Sequence, residues 1–125
     1  MSAWKRHAMR LLPERGGLIE QADGPLELLS NLAQNLEEAY LQPDPPRDFI
    51  ERLWAFAAWC VAPERHATLR RAAIDCFYVP AARSGLTRRE LRWRLSHPVF
   101  VEFRQVFMAN LPEPLYQDLA ALVQR

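Results

Sequence analysis

Between Arg52 and Pro63 lie ten residues without a charge, LWAFAAWCVA, holding two of the chain's four tryptophans and one of its two cysteines. As a helix the stretch rises only about 15 Å, roughly half the hydrocarbon thickness of a bilayer, so it is too short to span a membrane. On a helical projection Phe49, Ile50, Leu53, Trp54, Phe56, Ala57, Trp59, Cys60 and Val61 cover far more than half the circumference. Glu51, Ala55 and Ala58 are left for a weakly polar strip, with Arg52 at its edge. A helix apolar nearly all round is one that other helices wrap. The stretch therefore predicts a central helix, its alanines admitting close neighbours and its aromatics filling volume. A pocket lined by Trp54 or Trp59, serving an enzyme or a small-ligand binder, is the sharper alternative.

The remaining signals are also helical. There is little period-2 alternation and no Asn-Gly, and the one Asp-Gly pair, at 23–24, runs into Pro25 as a helix start. Ser2 is placed to cap a first helix with Trp4, Ala8, Leu11 and Leu12 on one stripe, stopped by PERGG. Asp23 to Pro25 start a second, carrying Leu29, Leu32, Ala33, Leu36 and Tyr40. PDPP at 43–46 breaks the chain, and Asp44 can cap the central helix. Pro63 opens a fourth helix with Leu69, Ala72, Ala73, Cys76 and Pro80 on one side. Thr87 and Glu90 fit a capping box and Leu86 and Leu91 a hydrophobic staple, so a short helix is expected to start at Thr87. SHP at 96–98 restarts the chain, Phe100, Phe103 and Phe107 follow at helical spacing, Asn110 is set to cap that segment, and Leu115, Leu119 and Leu122 lie on a last helix.

At 125 residues, half of them apolar, the chain reads as a single all-helical domain over 1–125 that folds unaided. The expected class is all-α, a compact irregular bundle of about six or seven short helices. Pro46, Pro63, Pro80 and Pro98 recur every 17 or 18 residues. A small helical-hairpin, solenoid-like array is therefore the alternative, although the residues between do not repeat. The N-terminus lacks the apolar run of a signal peptide, so a cytoplasmic protein is expected, with Cys60 and Cys76 as reduced, packed thiols. Those cysteines and the scattered His7, His66 and His97 offer no close-spaced ligand pairs, so no metal or other cofactor is expected.

Charge divides the chain. From Glu14 to Glu51 nine acidic residues face two arginines, a net of −7; from Arg65 to Arg94 eight arginines face two acids, a net of +6. The plain reading is two halves that neutralise one another; the functional readings are a pole that steers a partner, or copies that pair head to tail. Within the basic half, TRRELRWR sets Arg88 and Arg92 at i and i+4 and interleaves Trp93 with Arg89 and Arg94, the chemistry of a nucleic-acid or anion-binding surface. A sequence pI near 7.9 falls short of the strongly basic footprint such proteins show.

Catalytic patterns are absent: no P-loop, no Rossmann glycines, no HExxH and no paired ExxH occur. Glu64 and His66 at i,i+2, like the adjacent Glu37 and Glu38, would point to different faces of a helix. The function expected is thus a non-catalytic protein-binding module: a regulator, adaptor or neutralising, immunity-type partner. Its acidic face, Glu27, Glu37, Glu38, Asp44 and Asp48, would meet another protein. The alternative partner is nucleic acid, held by the Arg-rich helix over 87–95, and self-association is a further possibility.

Overall fold

The computed structural model describes residues 1–124, and among these the chain is all-helical, in more and shorter segments than the expected six or seven. Ser2 caps α1 (Ala3–Leu11), accepting from the Lys5 N–H at 3.4 Å. A 3₁₀ turn, Pro13–Arg15, leads to α2 (Gly16–Gln21), followed by α3 (Pro25–Leu41) and α4 (Arg47–Val61). α4 is the central helix expected. Its Phe49, Ile50, Leu53, Trp54, Phe56, Ala57, Cys60 and Val61 are buried, and α1, α3 and α5 (Ala67–Ala73) pack around it.

Three helix starts differ from the sequence expectation, those of α4 and α5 and, further along, the one placed at Thr87. Asp44 does not cap α4; Pro46 takes the cap position with no side-chain hydrogen bond, and Asp44 stays exposed in the preceding connection. Pro63 does not open the fourth helix either. It lies in a turn after α4, and α5 begins at Ala67, capped by His66, whose Nδ1 accepts from the Thr68 N–H at 3.2 Å.

From α5 the chain continues through one π turn, Ile74–Tyr78, into α6 (Val79–Arg83). Pro80 in this run has no N–H to give, and an interior proline displaces the regular hydrogen-bond ladder before it; the wider turn accommodates that. The four evenly spaced prolines thus occupy a helix cap, a loop, a helix interior and, at Pro98, the first turn of α9 (His97–Glu102). Their spacing does not mark a repeated unit.

The capping box at Thr87 does not form. Ser84 caps α7 (Gly85–Arg88) three residues earlier, accepting from the Leu86 N–H, while Thr87 is 1 % exposed and its Oγ1 donates to the Ala81 carbonyl at 2.6 Å. Leu86 stands exposed and Leu91 is buried, so the staple is absent too. A buried hydroxyl must find an acceptor, and here the carbonyl of the preceding helix supplies it. After α8 (Leu91–Arg94), Ser96 caps α9; α10 (Arg104–Asn110) and α11 (Glu113–Val123) complete the chain. Asn110 does not take the cap of α10: Leu111 does, and Asn110 is the last helical residue, its Nδ2 donating to the Val106 carbonyl at 2.8 Å.

Both cysteines are free thiols; Cys60 is buried, and loss of solvent pushes its thiol up to about 12, out of the reactive range. No helix among the described residues is long and apolar enough to cross a membrane. Ion pairs join elements distant in sequence: Arg52 with Glu14, Arg70 with Glu102, Arg88 with Asp118, Arg94 with Glu51; Arg52 also pairs with Asp48 within α4. The Arg52 guanidinium holds the Glu14 carboxyl down at about 2, and Arg94 and Arg70 lower Glu51 and Glu102. These folded values lie below the unfolded one near 4.5, so below it the unfolded chain binds more protons. Their stabilisation is complete above that pH and declines as pH falls towards 2. Urea midpoints measured from pH 5 to pH 2.5 should therefore drop steadily, and Glu14→Gln should make the drop shallower; a level midpoint in the parent chain would contradict the assignment.

Candidate functional site

Four of the five residues of the Arg-rich segment come together and one does not. Arg88, Arg89, Arg92 and Trp93, carried by α7, α8 and the turn between them, line a surface cleft of about 440 Å³ closed on its other side by Asp118 and Leu122 of α11. Arg88 is tied down: its Nε donates to Asp118 Oδ2 at 2.6 Å and its Nη1 to the Ala82 carbonyl at 3.0 Å. Arg89 and Arg92 are exposed and have no acceptor among the described residues. Trp93 is 63 % exposed beside them, whereas Trp54 is 2 % exposed and Trp4 and Trp59 are half-buried. Arg94 points away from the cleft. It pairs with Glu51, lies 3.9 Å from Glu90 and sits partly buried over the Trp54 ring at 5.6 Å.

The acidic residues do not converge in the same way. Glu27 turns back on its own helix start, accepting from the Asp23 N–H, just before the Gly24 cap position, at 2.8 Å. Asp48 pairs with Arg52 one turn on, and Asp44 lies in the connection before α4. Glu37 and Glu38, neighbours on α3, line different depressions: Glu37 one with Cys76 and Arg83, Glu38 one with Arg15 and Phe49. The two charged halves partly neutralise one another, most directly where Glu51 of the acidic stretch meets Arg94 of the basic one.

A second depression, of about 410 Å³, gathers Trp4 from α1, Pro25 from α3, and Trp59, Glu64, Arg65, His66 and Leu69 from the end of α4 through α5. Trp59 lines it as the sequence alternative proposed; Trp54 does not, because it is sealed inside between Phe77 and Tyr78. Glu64 and His66 are not on a helix, so the separation expected for i,i+2 positions does not apply and both reach this depression. The His7 ring stacks on Trp59 at 4.3 Å; burial, then Arg10 and Arg65, hold its pKa below the ordinary value.

Neither family models nor curated proteins nor solved structures match this chain. The site rests on geometry alone. Among the described residues no group of three or more His, Cys, Asp and Glu side chains is arranged to hold a metal ion. Asp118, Leu122 and Trp4 escaped sequence reasoning because nothing local links α11 to α8, or residue 4 to residue 65. Those neighbours exist only once the helices pack.

Proposed function

We propose that the protein is a non-catalytic binding module, a regulator, adaptor or neutralising partner, that docks an acidic surface of another protein onto Trp93, Arg89 and Arg92. The observation that carries this reading is the 63 % exposure of Trp93 in one cleft with two guanidiniums that have no acceptor among the described residues. Tryptophan and arginine are the residues that most often dominate interface energies, and covering Trp93 would remove a large apolar surface from water. The free charges of the cleft are both positive, which selects carboxylates and speeds encounter with an acidic partner. The acidic residues of 14–51 are dispersed and partly paired within the chain, and this reading gives them no contact role. A cytoplasmic location accords with the free thiols and remains part of the proposal.

A second reading, single-stranded nucleic acid on the same residues, draws on the same exposed indole, since bases stack on aromatics while arginines hold phosphates. Arg88 and Arg94 are already neutralised, so two guanidiniums would be left for phosphates. Such an interaction would have a salt slope of only about −1 to −2.

The test is tagged-protein purification from native lysate with and without nuclease, using the parent chain, Trp93→Ala, the Arg89→Glu/Arg92→Glu pair and the Glu37→Lys/Glu38→Lys pair. A protein that survives nuclease, is lost with the arginine reversal, weakens about tenfold or more with Trp93→Ala and is kept by the glutamate reversal is the expected result. Loss with the glutamate reversal would move the interface to α3. Nuclease-sensitive capture would transfer the site to nucleic acid.

A further inference from the structure

We infer that the depression beside Trp59 is a binding site for a small carboxylate with an aromatic body. Arg65 is held in place before any ligand arrives: its Nε donates to the Trp59 carbonyl at 3.0 Å and its guanidinium lies 3.9 Å from the centre of the Trp59 ring. With Nε engaged, Nη1 and Nη2 have no acceptor among the described residues. A planar fork with two free donors matches a carboxylate, and its orientation is already paid for by stacking and by the Nε bond. His66 adds a donor. Its Nδ1 accepts from the Thr68 N–H, so in the neutral ring the hydrogen is on Nε2, the nitrogen left to a ligand. Trp4 and Leu69 supply apolar walls for the rest of the molecule, and about 410 Å³ lies within the range of small-ligand sites.

The same geometry argues against a cation. Aromatic sites bind cations over the ring face, and Trp59 is already stacked by Arg65 and by the His7 ring, the charge of Arg65 repelling a second cation. Glu64 on the rim opposes the anion in part, so its removal should tighten binding. The site is separate from the Trp93 cleft, so the two proposals stand or fall independently.

Indole N–H signals of ¹⁵N-labelled protein, assigned by single Trp→Phe changes, give the test. Phenylacetate should shift the Trp4 and Trp59 signals saturably, with a Kd on the order of millimolar, and leave Trp93 still. Phenylacetamide and phenethylamine should leave all four unmoved. Arg65→Gln should weaken phenylacetate about tenfold or more, and Glu64→Gln should strengthen it. Because Arg65 also supports the last turn of α4, Glu64→Gln, which keeps that bond, decides if Arg65→Gln fails to fold. No saturable shift, an equal response to the amide, movement at Trp93 instead, or weaker binding in Glu64→Gln would each overturn the inference.

Discussion

Replacing Trp54 by alanine is expected to cost the fold about 3–5 kcal/mol, the range for truncating a large buried aromatic. The indole is 2 % exposed, meets Phe77 edge-on with ring centres 5.4 Å apart, and donates its N–H to the Tyr40 hydroxyl at 3.3 Å. Removing it opens a cavity where α4 meets the π turn, and deprives Tyr40 of one hydrogen-bond partner while leaving the other, Glu90, in place at 3.1 Å. Domains of this size are stable by about 5–15 kcal/mol, so roughly a fifth or more of the total would go. Denaturant midpoints would read the loss. Trp54→Phe should cost distinctly less, since it keeps most of the volume and loses only the N–H bond; equal costs for the two variants would show that packing is not what holds this residue.

Arg94→Leu should cost about 2–3 kcal/mol, more than any exposed arginine replacement in the chain. Its side chain is 19 % exposed, forks onto Glu51, lies near Glu90 and covers the Trp54 ring. The leucine keeps some packing but leaves the Glu90 carboxylate, 24 % exposed, with Tyr40 as its remaining partner. A charge left half-buried without its counter-ion is what makes the loss large. Glu51 is 60 % exposed, and Glu51→Gln should cost less than about 1 kcal/mol because water takes over the lost contact. A double-mutant cycle between positions 51 and 94 separates the pair from the packing. If Arg94→Leu were as mild as Glu51→Gln, Arg94 would belong to the surface and could be returned to the Trp93 cleft.

That distinction was not legible in TRRELRWR. Five residues of one basic, aromatic stretch divide three ways: Arg88 is bound to α11, Arg94 is partly buried against Glu51 and Trp54, and Arg89, Arg92 and Trp93 face solvent. Spacing tells which residues share a helix face; it does not tell which face a partner helix will cover. The capping box failed for a related reason. Thr87 and Glu90 satisfy the pattern, but Ser84 offered a cap earlier in the chain, and burial gave the Thr87 hydroxyl to the Ala81 carbonyl. Local rules rank the possibilities and tertiary contacts choose among them.

The sequence by itself determined the helical class, the central place of α4, the cap at Ser2 and the restart at 96–98, because periodicity and capping act over one or two turns and need no distant neighbour. Only the tertiary structure decided which charges are spent inside the molecule and which remain for a partner. Glu14 finds Arg52 across 38 residues, Arg94 finds Glu51 across 43, and Trp4 meets Arg65 at one depression. An ion pair depends on distance in space, which a sequence specifies only through the packed whole.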